Sequence, residues 1–130
     1  MFKIDEHNNM YLNRGDQVAI ELTANQNFLP GDTIKFSVVK EKDYSTVLLQ
    51  KIFEVTEESD IFTIELTSED TRFCDLLKNQ PKTFWYEIEY NNVSTLVGYD
   101  DEGGKQFVLW PEAPNNKNNG EIADNSVESI

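Results

Sequence analysis

Thr83-Phe84-Trp85-Tyr86-Glu87-Ile88-Glu89-Tyr90 is the stretch that decides the fold. Phe84, Tyr86, Ile88 and Tyr90 recur at every second position, with Trp85, Glu87 and Glu89 between them. A period of two puts the first set on one face of a strand and the second on the other. Aromatic and β-branched side chains suit that pleated surface. Asn91-Asn92 follow, and asparagine tolerates the left-handed backbone of a tight hairpin turn. Residues 93–99 then read as the return strand. Asp100-Asp101-Glu102-Gly103-Gly104 marks another turn, and residues 105–110 another strand.

The same alternation runs back toward the N-terminus. Gly15-Asp16-Gln17-Val18-Ala19-Ile20-Glu21-Leu22 and Gly31-Asp32-Thr33-Ile34-Lys35-Phe36-Ser37-Val38 each open on a Gly-Asp turn signal. Val18, Ile20, Leu22, Ile34, Phe36 and Val38 are expected to face inward. Residues 25–30 read as the loop joining these two strands as an antiparallel pair. Residues 2–5 and 10–13 flank the turn His7-Asn8-Asn9. The longer apolar run 47–55 reads as a buried strand, broken by Glu57-Glu58-Ser59-Asp60. Phe62, Ile64 and Leu66 alternate inward again. One helical signal interrupts the pattern. Thr67 or Ser68 can cap, Glu69 and Asp70 suit a helix N-terminus, and Phe73, Leu76 and Leu77 have helical spacing. A short helix over residues 69–78 is predicted, ending before Pro81. Seven or eight short strands at this spacing predict an all-β, immunoglobulin-like antiparallel β-sandwich with one short helix.

After Pro111 the composition changes. Pro114-Asn115-Asn116-Lys117-Asn118-Asn119-Gly120-Glu121 holds no large apolar side chain. The expectation is one domain over residues 1–113 and a disordered tail over 114–130. Net charge is −13; Lys117 against Glu121, Asp124 and Glu128 puts only −2 of it after residue 112. The domain itself is therefore acidic, which disfavours nucleic acid and anionic membranes as partners. Cys74 is the one cysteine and His7 the one histidine, so an internal disulfide or a multi-histidine metal site cannot form. Met1-Phe2-Lys3-Ile4-Asp5-Glu6 lacks the basic-then-apolar pattern of a secretion signal, which predicts a chain made in a cytoplasm.

Several short motifs invite chemistry, and each has a plainer account. Arg14-Gly15-Asp16 is an integrin-type tripeptide, yet the same residues make a turn that launches the next strand. Asp100, Asp101 and Glu102, like Glu57, Glu58 and Asp60, are acidic but lack the alternating spacing of a calcium loop. Glu87 and Glu89 are neighbours on one strand face. A glycosidase needs two carboxyls facing each other across a sugar, so a solvent-facing stripe fits better. Cys74, beside Phe73, reads as a small apolar residue. Nucleophile elbows, phosphate-binding glycine loops and zinc spacings are absent from the sequence. The chain is accordingly expected not to be an enzyme and to need no cofactor or metal. Trp85 stands out because it lies on the charged face, out of phase with the core. With Glu87 and Glu89 it forms the expected partner-binding group, since an aromatic among carboxylates can anchor a protein or stack on a sugar. Trp110 is expected to close the sandwich edge.

The order of motifs carries a resemblance. Leu12-Asn13-Arg14-Gly15-Asp16 is followed by Phe28-Leu29-Pro30-Gly31-Asp32-Thr33-Ile34-Lys35-Phe36-Ser37-Val38 and by Leu66-Thr67-Ser68-Glu69-Asp70-Thr71. Trp85-Tyr86-Glu87-Ile88-Glu89-Tyr90 and Phe107-Val108-Leu109-Trp110-Pro111-Glu112-Ala113 complete the series. Over residues 1–113 this resembles the immunoglobulin-like N-terminal domain of baseplate upper proteins in Firmicutes phages and prophages. The resemblance implies a virion structural component made in a bacterial host cytoplasm: a tail or baseplate adaptor, a fibre or a decoration subunit. Its implied partners are other virion proteins, and itself as a homo-oligomer. A carbohydrate-binding module and a small acidic inhibitor protein are the alternatives.

Overall fold

The alternating segments form nine strands in a computed structural model that describes residues 1–77 and 79–112. They are β1 (Phe2–Ile4), β2 (Met10–Asn13), β3 (Val18–Phe28), β4 (Thr33–Lys40), β5 (Asp43–Glu54), β6 (Ser59–Leu66), β7 (Lys82–Tyr90), β8 (Ser94–Val97) and β9 (Lys105–Trp110). The tail expected over 114–130, like Ala113 and Lys78, lies outside the described residues.

The strands make a β-sandwich. One sheet runs β1-β2-β9-β7-β4-β5, with β8 also paired to β7; the other is the pair β3-β6. The order β9-β7-β4-β5 facing β3-β6 is that of the G, F, C and C′ strands facing B and E in immunoglobulin-like sandwiches. Pairing is antiparallel except between β2 and β9, where Met10 to Asn13 run parallel to Phe107 to Trp110. Between the sheets, Ile20, Leu22, Ile34, Phe36, Ile64, Tyr86 and Phe107 are completely buried. Each such side chain contributes roughly 1.5–3 kcal/mol by leaving water. The Tyr86 hydroxyl donates to the Asn8 carbonyl, so this phenol enters the core with its polar atom paired. Burial pushes its pKa far above the ordinary phenol value.

Four local outcomes depart from the sequence pattern. The strands read as one antiparallel pair, β3 and β4, lie in different sheets. β3 also continues through the expected loop to Phe28, with a register break after Thr23. The run 47–55 is not a buried strand. Residues 47–54 belong to β5, the last strand of the larger sheet, where Val47, Leu48 and Ile52 are exposed; Val55, just past the strand, is buried. Leu49 and Phe53 of β5 pack against the core, Phe53 on Phe62 of β6, while Ile52 shares the outer face with its β4 partner Lys35. The helical segment is a single 3-10 turn, Asp70–Arg72, shorter than the pattern to residue 78. Thr67 and Asp70 cap each other there: the Thr67 amide donates to Oδ2 of Asp70 at 2.8 Å, and the Asp70 amide to Oγ1 of Thr67 at 3.1 Å. Beyond the turn, tertiary contacts replace helical ones. Phe73 packs edge-on against Phe84 at 5.0 Å. Arg14 Nε donates to the Cys74 carbonyl at 2.7 Å, taking the acceptor a continuing helix would use. Finally, Trp110 does not close the core; it ends β9 with 41% of its surface exposed.

The turns follow the glycine and asparagine signals. Asn91 and Asn92 have φ of 51° and 57°, as a two-residue hairpin turn of this hand requires. Asn91 Oδ1 accepts the Thr33 amide at 2.7 Å, tying this hairpin to the start of β4.

A candidate binding face around Trp85

Trp85 sits mid-sheet, on the outer side of the larger sheet. Register places Val39, Ser37 and Lys35 of β4 beside Trp85, Glu87 and Glu89 of β7, and Gln106 of β9 on the other flank of Trp85. These residues share one face, as the alternation of 83–90 implied. Val39 and Val108 are buried although they point away from the main core, so the outer face has a small apolar floor of its own.

Two tyrosines from distant segments close on Trp85. The Tyr44 ring, on β5, lies 5.5 Å from it with planes 48° apart; Tyr99, beyond β8, lies 5.7 Å away at 58°. Gly104 makes room underneath: a Cβ there would stand 2.2 Å from the indole, inside any permissible contact. Trp85 and Tyr44 are half-buried, while Tyr99 is 64% exposed. Among the described residues the Tyr44 hydroxyl is buried and has no hydrogen-bond partner. Leaving such a group unpaired costs about 1–3 kcal/mol.

The electrostatics of the face are uneven. Glu89 is held by Lys35 at 3.4 Å. Glu87 has no such pair among the described residues; burial and then the Glu89 charge push its carboxyl above the ordinary value, against the pull of Lys35. The Tyr44 phenol is pushed up by burial, and by Glu87 and Tyr99. A cleft of about 440 Å³ lies elsewhere, lined by Lys40, Leu48, Lys82 and Phe84 among others, and includes none of the Trp85 group.

The other motifs are absorbed by structure. Gly15 takes a φ of 88°, and Asp16, 8% exposed, receives the Asn13 amide on Oδ2 at 2.9 Å. Its carbonyl accepts from the Thr71 hydroxyl at 2.7 Å. Arg14 and Arg72 both reach Glu112, at 3.4 and 3.1 Å. The Arg14-Gly15-Asp16 segment is thus a buried corner joining three segments, not a protruding loop. In the turn after β8, Asp100 pairs with the buried Lys105 at 2.8 Å, and Glu102 lies 3.2 Å from His7. Among the described residues, no group of three or more His, Cys, Asp or Glu side chains is placed to hold a metal ion.

The sequence pattern placed Trp85, Glu87 and Glu89 together but missed Tyr44, Tyr99 and Gly104. Tyr99 reads as the end of the return strand 93–99 and Tyr44 falls in no predicted element, so neither points to Trp85. Pairing of β5 and of the 94–104 segment across the sheet brings them in, and that pairing has no local signal. Comparison with protein-family models, curated proteins and solved structures finds no match for this chain.

Proposed function

We propose that this chain is a non-catalytic binding module of a phage or prophage virion, a tail or baseplate adaptor, fibre or decoration subunit. In this reading the outer face around Trp85 docks a neighbouring virion protein. The observation that carries the binding reading is the Tyr44-Trp85-Tyr99 group, an aromatic cluster on a sheet face that should otherwise be solvated. Trp and Tyr are the residue types that anchor protein interfaces, and the half-buried Glu87 beside them offers a charge to a partner's donor. The virion assignment rests on the motif order of the sequence. The rings are tilted by 48° and 58°, so they do not make the flat platform on which a sugar stacks, and a protein partner fits them better.

Mass spectrometry of purified particles from the strain carrying this gene tests the assignment. The chain should be present in repeated copies. Tyr99→Ala, at an exposed ring, should deplete it from particles while costing in stability no more than one ring contact, about 0.5–1.5 kcal/mol. Particles devoid of the chain would refute the virion reading, and glycan binding would then be the next property to measure.

A further inference from the structure

β5 ends the larger sheet, and among the described residues its twelve residues pair with β4 alone. An open edge presents unpaired amide and carbonyl groups to any strand that can approach. The other free edges carry the usual deterrents. β1 is three residues long and runs into Asp5 and Glu6, and β8 has four residues and a register break. β6 carries Asp60 and Glu65; β3 carries Glu21 and breaks register after Thr23. β5 differs. No acidic residue stands between Tyr44 and Phe53, and Val47, Leu48 and Ile52 are 47%, 37% and 66% exposed. Its one lysine, Lys51, is held by Asp70 at 2.7 Å. Register shifts disturb the pairing between Asp43 and Val47 and between Val47 and Leu49, but from Leu49 to Glu54 the strand pairs with Val38 to Thr33 without a break.

Charge selects the occupant of such an edge. Copies of a chain with a net charge of −13 repel one another wherever carboxylates meet. They can approach closely only along a stretch without them, and of the free edges β5 is the long one of that kind. We propose that β5 pairs antiparallel with β5 of a second copy, about a two-fold axis at Ile52, so that the sheet continues through the dimer. This register sets Ile52 against its counterpart, Lys51 against Phe53 and Gln50 against Glu54. No carboxylate meets another, and Lys51, already 5.4 Å from its own Phe53 ring, meets a second one. An axis at Lys51 would oppose two lysines. One at Phe53 would oppose Ile52 to Glu54, and one at Gln50 would draw the register shift into the pairing. The inference goes beyond the partner reading, which concerns the face around Trp85, and the two can fail separately.

The test is site-specific cross-linking of the full chain with Cys74→Ala, carrying either Ile52→Cys or Val93→Cys. Val93 is 83% exposed, in the hairpin after β7, and controls for collision. Under mild oxidation Ile52→Cys should give a disulfide-linked dimer at least tenfold faster than Val93→Cys. Equal rates would overturn the proposal. Sedimentation equilibrium of the natural chain gives a readout without cysteine chemistry. A dimer should form, its population should rise with salt as carboxylate repulsion is screened, and Ile52→Lys should return the chain to monomer, with a melting temperature equal to that of the natural chain measured dilute enough to be monomeric. A chain that stays monomeric at hundreds of micromolar, or one that forms open-ended assemblies, would also overturn it. The same would follow if Ile52→Lys left the dimer intact.

Discussion

Gly104→Ala tests whether Trp85 is built into its face or merely rests on it. A Cβ at position 104 would lie 2.2, 2.4 and 2.6 Å from three atoms of the indole. Backbone strain is not the issue, since Gly104 is not among the positive-φ glycines. The ring must therefore move, and it is held between Tyr44 and Tyr99. Overpacking of this kind costs about 1–3 kcal/mol. Losing two ring contacts adds about 0.5–1.5 kcal/mol each. Against these, replacing glycine by alanine returns about 0.4–1 kcal/mol through the unfolded chain. A net loss of about 3 kcal/mol is expected. For a chain of this size that lowers the melting temperature by about 12 °C. The decisive comparison is the same substitution in a Trp85→Ala background. With the indole gone, Gly104→Ala should be neutral or stabilising. Thermal or urea melts followed by far-UV circular dichroism on the four proteins close the cycle. The coupling, from overpacking and the two ring contacts without the glycine-to-alanine gain, should be about 4 kcal/mol, well above the roughly 0.3–0.5 kcal/mol expected of independent sites. An equal loss in both backgrounds would show that Trp85 does not depend on Gly104 and would refute the packing argument.

Three further predictions concern the face, the buried corner and the C-terminal segment. Because burial raises the Glu87 carboxyl, the folded state binds its proton more tightly than the unfolded chain, so ionisation weakens the fold as pH rises above the ordinary value of 4.5. Glu87→Gln should thus match or exceed the natural chain in melting temperature at neutral pH and lose that margin below about pH 4; a variant that is less stable at neutral pH would contradict this. Gly15→Val should cost more than about 1 kcal/mol, because φ is 88° and the added Cβ meets Arg72 and Glu112 at 2.9 Å; an unchanged urea midpoint would refute the corner reading. A chain stopped at Ala113 should melt within about two degrees of the full chain, as the polar composition after Pro111 implies; a loss of about ten degrees, several kcal/mol at this size, would show that the remaining residues pack on the domain.

How much of this was legible depends on whether the signal was local. Alternation in 18–22, 34–38, 62–66 and 84–90 sorted core from surface at almost every position, because in a strand the burial of one face is set by period two alone. Gly15 and the asparagine pair at 91–92 announced their turns, since each takes a backbone conformation few residues tolerate. Strand partnership was not legible. β3 and β4 look alike and adjacent in sequence, yet one pairs with β6 and the other with β5 and β7. Nothing within either strand encodes that choice; it comes from closing two sheets around one core. The helix pattern at 69–78 failed for the related reason that Phe73 gains more from Phe84 and Phe107 than a marginal ten-residue helix offers.

β5 is where the two kinds of information part. Five apolar residues in Val47 to Phe53 read as burial, because a hydrophobic run is normally covered on both faces. In the structure the run sits at the sheet edge and remains partly in water. An apolar strand retained at an exposed edge has a cost in solubility that acidic substitutions would remove, as they do on β6 and beside β1. The same chain places 24 acidic residues elsewhere and none between Tyr44 and Phe53. The misreading of β5 as buried and the proposal that a second copy covers it thus have one origin: the strand has the composition of an interior element, and pairing across the edge would give it an interior.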